Sequence, residues 1–151
     1  MKNIFLADKS EHEQIVFVWE KSVKATHRFL KQSDISEIKT DVIKYLPSLQ
    51  VYAYKNPNGE ILGFIAIHED KIEMLFVSPE HFRKGVGSAL VNFALKKGAD
   101  TVDVNEQNDN ARKFYERMGF ETVARFEKDM QGRAFPLLRM KIKDKKLQQI
   151  R

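Results

Sequence analysis

At 151 residues with 42% hydrophobic content, the chain is the size of one ordinary domain and can bury a real core. It has no cysteine, which excludes disulfides, thiolate metal sites and a cysteine nucleophile, and its net charge of +5 is too unspecific to name a partner. No run of about 18 apolar residues occurs and Met1-Lys2-Asn3-Ile4 opens no signal-type apolar core, so a soluble, cytoplasmic protein is expected.

Residues 2–7 read as a first strand, and Ser10 is the expected cap of a helix running to about Ala25. A second helix, capped by Ser33 or Asp34, fills about 34–46 and stops at Pro47. There the apolar period changes. "LQVYAYKN" and "EILGFIAIHE" flank Asn56-Pro57-Asn58-Gly59 and predict a hairpin, and "KIEMLFVS" follows as a further strand. Next come a helix over 86–97, the short strand "TVDVN", a helix over about 109–118, and strands around 120–129 and 134–142. The order βααβββαβαββ predicts one mixed α/β domain over residues 1–142, with 143–151 as a basic C-terminal tail. The run Lys141-Ile142-Lys143-Asp144-Lys145-Lys146 reads either as a solvated terminus or as an anion-attracting patch.

The stretch "SPEHFRKGVGSAL" hands a strand over to a helix through Gly85 and Gly87. Backbone can approach a ligand closely at glycine, and the first N–H groups of a helix lack intrahelical partners, so such a turn can cradle a phosphate. Arg83 and Lys84 add positive charge beside it. It is not a P-loop and it lacks the third glycine of a dinucleotide fingerprint, so taken alone it reads better as a purely structural turn.

Two ordered motifs change the balance. "LFVSPEHFRKGVGSALVNFAL" resembles the acyl-CoA-binding motif of the GNAT superfamily of N-acetyltransferases, with Val77, Pro79, Gly85 and Gly87 in register and Phe82 where Arg or Gln is usual. "NDNARKFYERMGF" resembles the second motif of that superfamily through Asn108, Ala111, Tyr115, Gly119 and Phe120. "WEKSVKATHRFL", "VNEQN" and "FPLLRM" are similar to segments of its small bacterial YjaB-type members, so the resemblance spans nearly the whole chain.

The resemblance implies a GNAT fold: a mostly antiparallel, twisted central sheet, split into a V between the fourth and fifth strands and flanked by about four helices. It implies acetyl-CoA as co-substrate, its pantetheine arm taking main-chain hydrogen bonds from Leu75, Phe76 and Val77. The pyrophosphate would meet Arg83, Lys84, Gly85, Val86, Gly87 and Ser88, and Asn105 and Asn108 belong to the same cofactor side. Tyr115 matches the general acid that protonates the departing thiolate. By its spacing alone Tyr115 is also a packing residue, since Ala111, Phe114, Tyr115 and Met118 share one helix face.

In the first helix Trp19, Ser22, Thr26 and His27 fall at spacings that place polar groups on an apolar stripe. The superfamily walls its acceptor site with this region, so they are candidate substrate contacts, with a capping or packing role for His27 as the other reading. Glu73, His27 or a chain of waters can serve as base. No metal is expected, because His12, His68 and His81 show no ligand-like spacing with His27. The expected activity is N-acetylation of a small-molecule or exposed protein amine, and the alternative is an acyl-CoA-binding sensor without turnover. No nucleic-acid or membrane partner is expected, and the protein should be a monomer or homodimer.

Overall fold

A computed structural model describes residues 3–143. The elements are β1 Ile4–Leu6, α1 His12–Thr26, α2 Gln32–Tyr45, β2 Gln50–Lys55, β3 Ile61–His68, β4 Lys71–Val77, α3 Val86–Lys96, β5 Thr101–Asn105, α4 Asp109–Arg117, β6 Phe120–Phe126 and β7 Leu137–Ile142. This is the expected order. The strands form one sheet in the order β1-β2-β3-β4-β5-β7-β6, antiparallel everywhere except between β4 and β5. The mixed α/β architecture expected from the sequence is the one observed.

Boundaries differ from expectation where side chains take over backbone bonds. Ser10 lies inside a single 3-10 turn, Lys9–Glu11, and it is the Glu11 carboxylate that accepts the Asp8 N–H at 2.9 Å. Helix α2 starts at Gln32, ahead of the expected caps, because Asp34 reaches back to accept the Lys31 N–H at 2.9 Å. The last two strands are shorter than 120–129 and 134–142. Asp129 Oδ1 accepts the N–H groups of Gln131 at 3.0 Å and Arg133 at 2.8 Å, folding that stretch into a loop. Of the expected basic tail, residues 144–151 lie outside the described residues.

The core has two layers, one on each face of the sheet. Ile65, Ile67, Ile72, Leu90, Val91 and Phe120 pack between the sheet and α3 and α4. Ile15, Trp19, Val42, Leu46, Phe64 and Ala66 pack between the sheet and α1 and α2. Strand β3 is buried on both faces, which is why its apolar run is continuous rather than alternating. Gly63 lies within it because a Cβ there would sit 3.0 Å from the Phe76 carbonyl oxygen and 3.1 Å from Val86. Among the described residues no helix is long and apolar enough to cross a membrane.

Candidate functional site

Strands β4 and β5 stay together for two pairs only, Lys71↔Thr101 and Ile72↔Val102. Register against β3 then moves from Ile67↔Ile72 to Ala66↔Met74, which leaves Glu73 as the extra residue of a bulge. Past that point β4 keeps β3 on one side and faces a V-shaped gap on the other. Ser78 donates its N–H to the Leu62 carbonyl, toward β3. By the alternation of an antiparallel ladder, the main-chain groups of Val77 and Leu75 therefore point away from β3, into the gap.

A small cavity of about 100 Å³ occupies the gap. His27, Glu73, Leu75, Phe76, Asn105, Asn108 and Tyr115 line it, so the structure brings together seven of the residues singled out in the sequence. The sequence reading missed Ile72, Met74, Val102, Asp103 and Val104, which complete the lining together with Ala111, named from the sequence only as a motif and packing residue. One signal was available: Asp103 is a charge flanked by buried valines in a short strand. Its carboxylate is held ionised, below its usual range, by a two-pronged contact with Arg139 at 2.9 and 3.0 Å and by Lys71 at 2.8 Å, against the burial that opposes it.

The residues expected from the sequence to cradle a phosphate form a separate cluster. Arg83 has φ 64° and Gly85 φ 84°, the latter as N-cap of α3, where a left-handed backbone favours glycine. The first intrahelical donor is Ala89, bonding the Gly85 carbonyl at 3.0 Å, so the N–H groups of Val86, Gly87 and Ser88 head the helix. A Cβ on Gly87 would meet Phe114 at 3.5 Å and Val77 at 3.8 Å, ordinary contacts, so packing within the protein does not demand glycine there. Val77 joins this cluster to the V.

Tyr115 is 5% exposed, and its ring meets those of Phe114 and Phe120 edge-on with centroids 5.1 and 5.4 Å apart. Burial raises its phenol above the ordinary tyrosine value, so the hydroxyl keeps its proton at neutral pH. Trp19 lies one layer behind the cavity, edge-on to Phe76 at 6.4 Å, and Ser22 is buried. Neither lines the cavity.

His27 ends α1, and burial lowers its pKa from 6.5 to about 4, so the ring is neutral. Thr26 Oγ1 lies 2.8 Å from the Ser22 carbonyl and 2.8 Å from His27 Nδ1. His27 Nε2 lies 3.5 Å from Asn108 Nδ2, and Asn108 Oδ1 accepts the Ala111 N–H at 3.1 Å, capping α4. Asn105 shapes the turn before α4, its Oδ1 accepting the Gln107 N–H at 2.9 Å. A polar chain thus crosses the open end of the V from α1 to α4.

The two sides of the V are bridged a second time. Arg133, in the loop between β6 and β7, pairs with Glu37 and Asp41 of α2 at 3.3 and 2.6 Å and with Asp129 at 3.4 Å. Beside it Phe135 meets Phe29 at 6.0 Å, and Phe29 meets His27 at 5.5 Å. A larger hollow of about 690 Å³ lies between α1 and α2, lined by Val16, Phe17, Ile43 and Leu46. It contains none of the candidate site residues and is remote from the V.

The sequence model described as the acetyltransferase (GNAT) domain matches residues 47–122, half of the chain. The peptidyl-lysine N-acetyltransferase YjaB of Salmonella typhimurium is 34% identical over 141 residues, 93% of this chain and 97% of that protein. The solution structure of apo-form YjaB from Escherichia coli superposes with a TM-score of 0.85 at 34% identity, covering 92% of this chain and 95% of that one. An N-acetyltransferase from Thermoplasma acidophilum, solved in complex with coenzyme A, shares the fold with a TM-score of 0.64 at 19% identity, over 91% of this chain and 97% of that one.

Proposed function

The chain belongs to the GNAT acetyltransferase family and is an acyltransferase, and from that premise we propose that it moves the acetyl group of acetyl-CoA to the side-chain amine of a lysine in a protein. The observation that carries this reading is the gap between β4 and β5, where unladdered main chain, a buried protonated phenol and a neutral imidazole face one small cavity. A lysine acceptor is supported by the similarity to peptidyl-lysine acetyltransferases over nearly the full length.

In the proposed reaction the main-chain groups of Leu75 and Val77 hold the pantetheine arm, and the N–H groups of Val86, Gly87 and Ser88, with Arg83 and Lys84, hold the pyrophosphate. The lysine nitrogen attacks the thioester carbonyl carbon, the carbon–sulfur bond breaks, and Tyr115 gives its proton to the departing thiolate. The proton lost by the amine does not go to His27. A ring that burial keeps neutral down to about pH 4 cannot keep a proton taken from a lysine ammonium, whose ordinary value is about 10.4. A carboxylate is no stronger a base, so the proton has to leave for water, which the exposed Glu73 reaches and the buried ring does not. Glu73, at the bulge beside the cavity, is the group assigned to pass that proton to solvent.

The test is thiol release from acetyl-CoA with lysine-containing peptides and, separately, small primary amines, with the acetylated atom located by mass spectrometry. Faster turnover on peptide lysine supports the reading. Preference for a small amine would move the acceptor to that class, and binding of acetyl-CoA without release on any acceptor would favour the sensor.

A further inference from the structure

The proton positions in the polar chain across the V are fixed by its own geometry. Thr26 has one hydroxyl proton and two neighbours at 2.8 Å, the Ser22 carbonyl and His27 Nδ1. If the proton pointed at Nδ1, two lone-pair-bearing oxygens would face each other at 2.8 Å with no proton between them. The neutral ring would then carry its hydrogen on Nε2, aimed at the Asn108 amide nitrogen. That amide cannot turn over, because its oxygen is engaged by the Ala111 N–H that starts α4. The opposite arrangement has no conflict: Thr26 donates to Ser22, His27 Nδ1–H donates to Thr26 Oγ1, and the Asn108 amide offers its N–H to the bare Nε2.

We propose that Thr26 is a positioning residue: it holds His27 in the Nδ1–H tautomer, so that the Nε2 lone pair faces the cleft and receives an N–H of the acceptor amine. The site needs such an acceptor. An amine attacks through its lone pair, so its N–H bonds must be turned away from the carbonyl carbon, and a fixed lone pair on the wall turns them. The 3.5 Å contact from Asn108 is long for a hydrogen bond and is one the acceptor can replace. Thr26, assigned from the sequence to touch substrate, acts instead through its neighbour. The acceptor part of this inference rests on the acetyl-transfer reading, whereas the tautomer does not.

The test pairs ring-nitrogen NMR with kinetics in the full chain. Wild type should show a protonated Nδ1 and an unprotonated Nε2 for His27. Thr26→Val, which keeps the shape and removes the hydroxyl, should let the ring populate both tautomers and lower kcat for the acceptor by about tenfold, the scale of one hydrogen bond. Its Kd for acetyl-CoA should not move. Thr26→Ser should restore both signals, and Thr26→Ala should repeat the valine result, which excludes an effect of the added methyl on packing. A wild-type ring protonated on Nε2, or a spectrum unchanged in Thr26→Val, overturns the assignment. So does a tautomer shift without loss of kcat. A wild type that shows the tautomer yet releases no thiol overturns the acceptor role together with the acetyl-transfer reading, and turnover with the proton on Nε2 overturns the Thr26 and Nε2 roles while the acetyl-transfer reading stands.

Discussion

At the residue scale two side chains carry opposite kinds of pH behaviour. His27 is neutral in the fold with a pKa near 4, whereas in the unfolded chain it titrates at its ordinary 6.5. Below pH 6.5 the unfolded state therefore binds a proton that the folded state refuses, and stability falls with pH until the folded pKa is reached. The loss at pH 5 is about 2 kcal/mol, from roughly 1.4 kcal/mol per unit. Urea midpoints of wild type should drop between pH 7 and pH 5 by more than those of His27→Gln, and equal drops would place the ring in water. Tyr115→Phe keeps the ring packing against Phe114 and Phe120 but removes the proton, so kcat should fall by roughly 10²-fold with acetyl-CoA affinity and melting temperature nearly unchanged. Undiminished kcat would return Tyr115 to the packing role its helix-face spacing also allows. The polar stripe of α1 was legible as spacing, but the division of labour within it was not. A period of three or four residues says which side chains share a face, and it cannot say that Thr26 spends its hydroxyl on a neighbour while Ser22 is buried behind.

At the element scale the two glycines near the start of α3 and the one in β3 are held for different reasons, and substitution separates them. Gly87→Asp places its Cβ in ordinary contact with Phe114 and Val77, so the fold should survive while negative charge at the head of the helix removes acetyl-CoA binding. Calorimetry with a parallel melting curve checks both halves, and wild-type affinity in that variant would end the cradle assignment. Gly63→Ala has the reverse signature. Its Cβ would press on backbone of β4 at 3.0 Å and on Val86 at 3.1 Å, costing about 1–3 kcal/mol of stability before any effect on ligand. The Gly85-x-Gly87 turn and the β2–β3 hairpin were visible in the sequence because turn chemistry is local. Gly63 was not, since the reason for it lies on strands that only the folded sheet brings together. Helix starts were misplaced by a residue or two because Glu11 and Asp34 cap from three positions inside rather than from the cap itself.

At the scale of the whole molecule, the split sheet divides the protein into an N-terminal part, β1 to β4, and a C-terminal arm, β5, β7 and β6, joined along the sheet by two ladder pairs. Arg133 ties the arm to α2 through Glu37 and Asp41, with its side chain only 16% exposed. Arg133→Ala leaves three carboxylates facing one another and should cost about 1.5–3 kcal/mol, seen as a melting point lower by several degrees. Arg133→Lys should recover only part of this, because an ammonium lacks the planar fork that reaches three partners. Recovery in full would mean that net charge, not geometry, holds the loop. The order of elements and the split itself were legible, the first from periodicity and the second through two motifs. The Arg133 tie was not, for it spans 92 residues of sequence to Asp41 and leaves no local pattern.

The strand order of the arm also governs how the molecule is made. The last strand, β7, is inserted between β5 and β6, pairing Asp103 with Arg139 on one side and Thr122 with Met140 on the other. While the chain is being synthesised, at roughly 5–20 residues per second, β1 to β4 with α1 to α3 can assemble as each emerges. Strand β6 cannot. It has no strand neighbour until residues 137–142 leave the ribosome and slide into the waiting slot, and until then Phe120, fully buried in the finished fold, has Tyr115 of α4 beside it but not its strand partner Ile142. A ribosome that stalls after α4 therefore holds a nearly complete N-terminal part beside a cleft with only one wall, and the final half-dozen residues of sheet convert that nascent chain into a competent enzyme.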